Sequence, residues 1–414
     1  MTESDTRSTR PPTGSSSASL SDEPLSRDPL DGAELCALLE RVFAPRADER
    51  ALAVLVDLPD QALPDSEAWR DRRQLAAEWV RALEGSRFAA QLFGYRNVRR
   101  NNAELPETLV ELDAYEPLPL SMDDARLAAI EARARDAVLA EHPMVLAPTQ
   151  LSATAPLKLL APRLGFSAAT MGGLSRAMQP ALRLDYIEID RRVRALAALV
   201  ERADTALFDF VVDGARALAL TLDLRHRPGH ASGGLLRERG RAGNLPSGEA
   251  YIVPYEGERA GEPSRSAGEL PVELDGEVVI YRVEQNRARA VEGDGPVAAR
   301  ERALIASEPA YANIAELGLG VLSDFGVKPV GVTLLDEKLG PHIAFGRSDH
   351  FGGQVGPGDF SSPEAVVHID RVYLPETQPR VRLERIRLQG RGDAEPTLLY
   401  ETDASGRGHY AVAL

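Results

Sequence analysis

Four short segments between Gly243 and Asp370 carry the side chains best suited to chemistry, and that chemistry is metal binding. The segments read GNLPSGE, NIAELGLG, LLDEKLGPHIAFG and HID, and they supply the ligand-type residues Glu249, Glu316, His342, His368 and Asp370. Three carboxylates and two imidazoles, each beside small or apolar residues, form a donor set that suits a pair of divalent cations. Any one segment alone would carry little weight, but together they favour a metallo-hydrolase.

The charges of this set agree with two ions. Two divalent ions bring four positive charges, Glu249, Glu316 and Asp370 supply three negative ones, and a bridging hydroxide would neutralise the remainder. A pair of ions about 4 Å apart lowers the pKa of a shared water towards neutrality, which gives a nucleophile for amide hydrolysis. Oxygen and imidazole donors without thiolate suit zinc, cobalt or manganese, and the sequence does not choose among them.

The two histidine segments have the spacing of strands that present ligands on one face. Side chains two residues apart on a strand point the same way, which groups His368 with Asp370. It also groups His342 with Ala344 and Gly346, whose small size leaves room beside the imidazole. For either segment taken alone, an ordinary strand with a satisfied or partly exposed histidine is the competing interpretation.

The two glutamates occupy different settings. Glu249 stands where a loop becomes the strand-like run EAYIVPY, and the alternative is a solvated strand end. Glu316 lies inside an apolar, glycine-flanked run, where a buried carboxylate is costly unless it is paired. It therefore needs a cation or a hydrogen-bond partner, and a structural salt bridge with Lys338, for instance, is the alternative.

The elements that must position these residues divide the chain in two. Residues 31–215 alternate strand-like and helical segments, which predicts an α/β domain with an open, mostly parallel sheet. Residues 216–414 hold mostly short β-rich runs, which predicts a separate α+β domain that carries the metal site and is catalytic. The clearest individual predictions are a strand at 51–59, a helix at 66–85, a capped helix opened by Ser121 and continuing to Glu141, a helix at 187–204, and a helix at 296–309.

Composition excludes several other classes of function. A net charge of −15 over 414 residues argues against a nucleic acid or an anionic membrane as partner. The single cysteine, Cys36, rules out an intramolecular disulfide and is interpreted as a buried helical thiol. Residues 1–30 are rich in Ser, Thr, Pro and Asp and predict a disordered tail. With no membrane-length apolar run and no apolar signal segment, we expect a cytoplasmic protein.

A basic segment precedes GNLPSGE. It contains Arg225, Arg227, Arg237, Arg239 and Arg241, together with His226 and His230. A solvated loop that balances nearby acidic charge is the favoured interpretation, and a clamp for an anionic substrate is the alternative.

In their order along the chain, NLPSGE, NIAELGLG, LLDEK with HIAFG, and HID closely resemble the motifs of the aminopeptidase T and aminopeptidase S family of dinuclear metallo-aminopeptidases, the thermophilic metalloproteases. The similarity extends over most of the chain in length and domain order. It implies that the metal-binding residues are Glu249, Glu316, His342, His368 and Asp370. It also implies that a metal-bridged hydroxide removes the N-terminal residue of short peptides, and that the protein is a homodimer enclosing its sites.

One position departs from the family pattern. The family places a tyrosine seven residues after the HIAFG histidine, where it lies at the metal site and assists catalysis, whereas this chain has Asp349 there, beside Ser348 and His350. We predict that Asp349 or His350 substitutes as an electrostatic or proton-transfer group, so both join Glu316 as catalytic candidates. The alternatives are a reduced or redirected activity, and an ordinary surface loop at RSDHFGG.

Two rival functions stay open. Ring-cleaving dihydroxypyridine dioxygenases resemble this scaffold and hold one Fe(II) with two histidines and an aspartate, a set that His342, His368 and Asp370 would supply. The retained Glu249 and Glu316 argue against that function, because a single-iron site has no use for both. The second rival is a non-catalytic relative that binds peptides on the same fold.

Overall fold

The structure is a computed structural model that describes residue 26 and residues 28–414, so most of the predicted tail at residues 1–30 lies outside the described residues. Leu30, the last residue of that predicted tail, is buried, and its backbone N–H donates to Gln179 Oε1 at 3.0 Å. Leu30 is therefore packed against the folded protein.

The described chain alternates helices and strands first and is dominated by strands later. The helices are α1 Gly32–Phe43, α2 Glu67–Ala82, α3 Arg135–Glu141, α4 Thr154–Leu164, α5 Gln179–Leu182, α6 Tyr186–Arg202, α7 Pro296–Ser307 and α8 Thr333–Asp336. The first ten strands are β1 Ala51–Leu58, β2 Ala89–Arg96, β3 Thr108–Leu112, β4 Ala132–Ala134, β5 Met144–Ala147, β6 Ser167–Thr170, β7 Ala203–Val212, β8 Arg216–Asp223, β9 His230–Ser232 and β10 Ala242–Asn244. The later strands are β11 Glu249–Ile252, β12 Ala267–Leu274, β13 Glu277–Glu284, β14 Arg287–Glu292, β15 Ile314–Gly320, β16 Pro341–Gly346, β17 His368–Val372, β18 Val381–Gly390, β19 Thr397–Thr402 and β20 Gly408–Tyr410.

The first sheet is open and mostly parallel, as predicted. Its strand order is β10-β6-β5-β1-β2-β3-β4, with parallel pairing from β10 to β2 and antiparallel pairing for β3 and β4. Alternate residues of β1 face opposite layers: Leu52 and Val54 pack with α1 and α2, whereas Ala53 and Leu55 pack with α3 and α4. Burial on both faces explains why β1 reads as a continuous apolar run.

Polar caps fix where the predicted helices begin. Ser66 accepts a hydrogen bond from the Trp69 N–H at the start of α2, and Asp185 does the same for Ile187 at the start of α6. Each cap satisfies an N–H that the first helical turn leaves without an intrahelical partner. The helices predicted at 66–85, 187–204 and 296–309 are confirmed as α2, α6 and α7, of which α7 begins at Pro296 without a cap of this kind.

The capped helix predicted from Ser121 to Glu141 is wrong over its first two thirds. A short 3-10 turn occupies Ala125–Ala129, β4 follows, and only the last seven residues form α3. The chain is extended at β4 because Ala132–Ala134 pairs with β3 and lengthens the sheet. Inter-strand hydrogen bonds outweigh the helix propensity of this alanine-rich and arginine-rich segment.

Two antiparallel sheets make up the rest of the protein. The larger sheet has the order β14-β13-β12-β8-β7-β18-β19-β20, and the smaller one has the order β17-β16-β15-β11-β9. Helix α6 contacts β9 and β11 of the smaller sheet as well as β7 of the larger one. Sheet membership does not change at residue 216. Strand β7 precedes that residue but belongs to the larger antiparallel sheet, and β10 follows it but belongs to the parallel sheet. The boundary at residue 216 stays a prediction.

None of the helices in the described part of the chain combines the length and the apolar character needed to cross a bilayer.

Cys36 lies in α1 and is partly buried against the core.

Candidate metal centre

Four neighbouring strands of the smaller antiparallel sheet bring the five predicted ligands together. Glu249 is the first residue of β11, Glu316 is on β15, His342 is on β16, and β17 carries both His368 and Asp370. These strands are adjacent in the order β17-β16-β15-β11. Segments far apart in sequence thus contribute to one face of one sheet.

The register of the strands sets the side chains in rows. Glu316 pairs with Ala344, which pairs in turn with Asp370, so these three residues form one row across three strands. Gly318 pairs with His342 in the next row. Directly opposed residues in an antiparallel sheet project to the same face. The predicted shared face of His342 and Ala344, and that of His368 and Asp370, are both consistent with this register.

Small residues leave space between the ligands. A Cβ atom at Gly318 would lie 2.0 Å from His342 Nε2, so the imidazole lies over this glycine. A Cβ atom at Gly320 would lie 2.2 Å from the backbone carbon of Lys338. Ala344 separates Glu316 from Asp370 within their row. Larger side chains at these positions would fill the volume in which the donor atoms converge.

Within the described residues, two groups of donor atoms have the spacing of metal sites. The inner cluster consists of Glu249, Glu316 and His342, and the outer cluster consists of Glu316, His368 and Asp370; in each, the donor atoms lie within 4.8 Å of one another. Glu316 belongs to both clusters. Its Oε1 lies 3.7 Å from His342 Nε2, and its Oε2 lies 3.0 Å from His368 Nε2. Glu316 is therefore the carboxylate that the two clusters share.

The remaining distances also converge on the two imidazole nitrogens. His342 Nε2 lies 3.7 Å from Glu249 Oε2 and 3.8 Å from Asp370 Oδ1, and His368 Nε2 lies 3.4 Å from Asp370 Oδ1. The other ring nitrogen of His368 donates to the carbonyl oxygen of Arg347 at 2.7 Å. Such a bond fixes the ring orientation and turns Nε2 towards the cluster, as is usual for metal-binding histidines.

The carboxylates make this part of the protein strongly attractive to positive charge. Burial acts to raise the pKa of Glu316, but the attraction of the nearby imidazoles of His342 and His368 outweighs it and lowers the pKa to about 2. Burial acts to lower the pKa of His342, but Glu316, Asp370 and Glu249 outweigh it and raise the pKa to about 9. The pKa of His368 is raised by Asp370 and Glu316 against the same effect of burial. A divalent ion would displace the ring protons.

Glu337 and Lys338 also belong to the centre; the sequence interpretation named Lys338 only as an alternative salt-bridge partner of Glu316 and did not name Glu337. Lys338 Nζ donates to Glu249 Oε1 at 2.5 Å and also to Glu337. Burial raises the pKa of Glu337 to about 8, with Asp370 and Glu249 adding to the rise and Lys338 opposing it. The suggested salt bridge between Lys338 and Glu316 is wrong, because the lysine pairs with Glu249 and Glu337. The sequence did indicate these two residues, because the charged pair Glu337 and Lys338 of LLDEK shortly precedes His342.

The two candidates at the family tyrosine position have separate environments. Asp349 accepts a hydrogen bond from Arg347 Nε at 2.5 Å. The His350 ring lies 5.3 Å from the His368 ring and 3.8 Å from the Phe351 ring, measured between centroids. Burial, with the nearby charge of His368, lowers the pKa of His350 to about 4. His350 thus borders the outer cluster, and the catalytic roles of Asp349 and His350 stay predictions.

Tyr251 is a further residue of the site that the sequence interpretation missed. It lies two residues after Glu249 on β11 and therefore shares its face. Burial raises the pKa of the Tyr251 phenol, and the negative charges of Glu249 and Glu316 add to the rise. The strand spacing of EAY would have located it.

The basic segment before β11 is paired with acidic side chains. Arg225 pairs with Asp223 at 2.7 Å, and Arg227 pairs with Glu256 at 3.2 Å. Arg241 pairs with Glu238 at 2.8 Å, and Arg239 pairs with Glu49. These pairs favour charge balance over a clamp for an anionic substrate.

No protein-family model matches the chain, and no curated protein matches it. Among solved structures, it is similar to that of 2,5-dihydroxypyridine dioxygenase from Pseudomonas putida KT2440, with a TM-score of 0.55 and 14% identity over 90% of this chain and 96% of that one. It is also similar to wild-type AmpT from Thermus thermophilus, with a TM-score of 0.47 and 16% identity over 92% of this chain and 99% of that one. The first likeness shows a shared fold. The chemistry must be argued from the site itself.

Proposed function

We propose that this protein is a metal-dependent aminopeptidase that removes the N-terminal residue of short peptides and uses two divalent ions. The observation that carries the proposal is the position of Glu316, whose two carboxylate oxygens face different histidines at 3.7 and 3.0 Å. A carboxylate shared in this way suits a pair of ions, whereas a single ion would leave one of its oxygens and the free oxygen of Glu249 without a metal to bind.

The donor set fits two divalent ions. Glu249, Glu316 and His342 would hold the inner ion, and Glu316, His368 and Asp370 would hold the outer one. Glu337 and Lys338, which the structure adds to the centre, are hydrogen-bonded to each other and are not counted among the ligands. Imidazole and carboxylate donors suit zinc, cobalt or manganese, and we propose one of these.

When bound, the ions would polarise the scissile carbonyl group and activate a water molecule. The protein residues have supporting tasks. Lys338 holds Glu249 in place through a hydrogen bond of 2.5 Å. Glu337 accepts a second hydrogen bond from Lys338 and so helps to hold the lysine beside Glu249.

The restriction to N-terminal residues rests on the motif resemblance. In that family one of the two ions would hold the free α-amine of the substrate, so a peptide with a blocked N-terminus would lose this contact. Enclosure of the centre by a homodimer, which the resemblance implies, is part of the proposal and would limit substrates to short peptides.

Elemental analysis combined with an anilide panel tests the proposal. We expect about two divalent ions per chain and cleavage of leucyl or arginyl anilides. The N-acetylated anilides are matched controls and should stay uncut. Two bound ions without cleavage of any aminoacyl anilide, across several metals and pH values, would favour the non-catalytic peptide-binding function instead.

A ring-cleaving dioxygenase with one Fe(II) is the second candidate. It is favoured by the arrangement of His342, His368 and Asp370, in which Asp370 Oδ1 lies 3.8 and 3.4 Å from the two imidazole nitrogens. Two histidines and one carboxylate with open positions are the usual Fe(II) set in such enzymes. About one iron per chain, with oxygen consumption on hydroxypyridines, would establish this function and end the peptidase proposal.

A further inference from the structure

We infer that the hydroxyl group of Tyr251 donates a hydrogen bond to the substrate carbonyl oxygen in the metal centre. The inference rests on the proposed function and names one more catalytic residue for it. The role requires a neutral phenol that keeps its proton, so no group is transferred to or from the tyrosine.

The position of Tyr251 in the sheet brings it to the inner cluster. Tyr251 pairs with Gly318, and Gly318 pairs with His342, so the three residues form one row. Because Gly318 has no side chain, the imidazole extends over it towards Tyr251. This row lies between the residues Glu249 and Glu316, which project from the rows on either side of it. The tyrosine therefore borders the carboxylates of the inner cluster.

The Tyr251 ring is held between two aromatic groups. The ring of His230, its partner on β9, stacks on it with centroids 5.0 Å apart and an angle of 22°. Phe351 contacts it with centroids 4.7 Å apart. Packing of this kind restricts the ring and so fixes the direction of the C–O bond. The phenol is pre-organised before any substrate arrives.

The hydroxyl group is available for a ligand. Among the hydrogen bonds of residue 26 and residues 28–414, none involves the Tyr251 hydroxyl. Two nearby cationic donors are already engaged, because Lys338 bonds to Glu249 and Glu337, and Arg347 bonds to Asp349. A phenol with an ordinary pKa of about 10 is neutral at physiological pH and donates well to an oxygen that gains negative charge.

Tyr251→Phe tests the inference, since it keeps the ring and its packing and removes only the hydroxyl group. We expect both metal ions to be retained and kcat for leucyl anilide to fall by about 100-fold or more, with KM within about threefold. A second readout is calorimetric affinity. Leucine phosphonic acid, which resembles the tetrahedral intermediate, should bind at least about tenfold more weakly to the variant, while L-leucine should bind almost equally.

Tyr373→Phe is the matched control. Tyr373 directly follows β17, and its hydroxyl donates to the carbonyl oxygen of Pro271 at 2.9 Å, away from the centre. Its turnover should equal that of the wild type. Unchanged turnover and unchanged phosphonic acid affinity in Tyr251→Phe would overturn the inference while leaving the proposed function intact. A metal-loaded wild type that cleaves no aminoacyl anilide would overturn the proposed function, and the inference would fail with it.

Discussion

Two buried carboxylates, one in each kind of sheet, have contrasting partners. Asp57, near the end of β1, accepts hydrogen bonds from the backbone N–H groups of Gln150 at 2.7 Å and Leu151 at 2.9 Å, and from Trp69 Nε1 at 2.9 Å. Glu316 in the antiparallel sheet faces His342 and His368 instead. Fixed N–H donors of the chain satisfy Asp57, whereas Glu316 faces two imidazoles, which are able to bind either a proton or a metal ion.

The contrast is informative because Asp57 occupies the place where open α/β sheets usually bind ligands. The strand order reverses between β5 and β1, and the crevice at that point is the usual binding site. In this protein the side chain of Asp57 and the segment after β5 close the crevice with their own hydrogen bonds. A buried carboxylate therefore indicates a ligand site only when fixed donors do not already satisfy it.

The largest expected effect is at the shared carboxylate. Glu316→Gln removes the bridging charge, so we expect loss of both ions and a decrease in kcat/KM of at least about 1000-fold. His342→Ala should lower metal content and activity in the same way. Elemental analysis and anilide hydrolysis provide the measurements, and full turnover in both variants would refute the ligand assignment.

Removal of the metal should lower the stability of the wild type, and it should do so only when the inner and outer clusters are intact. Ions bound at about 100 to 1000 times their Kd stabilise a protein by about 3 to 4 kcal/mol, so chelation should lower the Tm of the wild type. The same treatment should leave the Tm of Glu316→Gln nearly unchanged. An equal shift in both proteins, measured by scanning calorimetry, would contradict the assignment.

Asp57→Asn should lower stability without affecting metal binding, in contrast to Glu316→Gln. The new amide group would direct an N–H at a backbone N–H of Gln150 or Leu151, so we expect a loss of about 2 to 3 kcal/mol in the free energy of unfolding. Metal content and turnover of the folded protein should stay at wild-type values. Denaturant unfolding measures the free energy of unfolding, and elemental analysis measures the metal content. Loss of metal in this variant would show that Asp57 contributes to the metal site.

The smallest expected effect is at Glu188, a partly exposed carboxylate that serves as a reference for the two buried ones. Hydrogen bonds from Arg191 and Arg192 lower the pKa of Glu188 in α6 from the ordinary 4.5 to about 2. A lowered pKa stabilises the fold above pH 4.5, and this contribution is lost as the pH falls towards 2. Glu188→Gln should cost less than about 1 kcal/mol at pH 6, because the pair is on the surface. The difference from wild type should shrink in acid; a difference that is independent of pH would show another cause.

Local patterns predicted much of the fold and failed where a distant strand decided the outcome. The apolar run at 51–59 and the capped periodic helix at 187–204 were predicted because their signals are contained within each segment. The segment after Ser121 was predicted as one helix, yet β4 forms there because β3 offers hydrogen bonds. The residues of this segment do not by themselves indicate that β3 will pair with it.

The sequence by itself determined which residues can bind metal and which of them share a strand face, because residue type and a spacing of two are local properties. Only the tertiary structure decided that Glu316 belongs to both clusters, that Lys338 pairs with Glu249, and that Tyr251 borders the site. These relations depend on the register between strands that are distant in sequence. Register follows from the packing of the whole sheet, and it is not contained in any single segment.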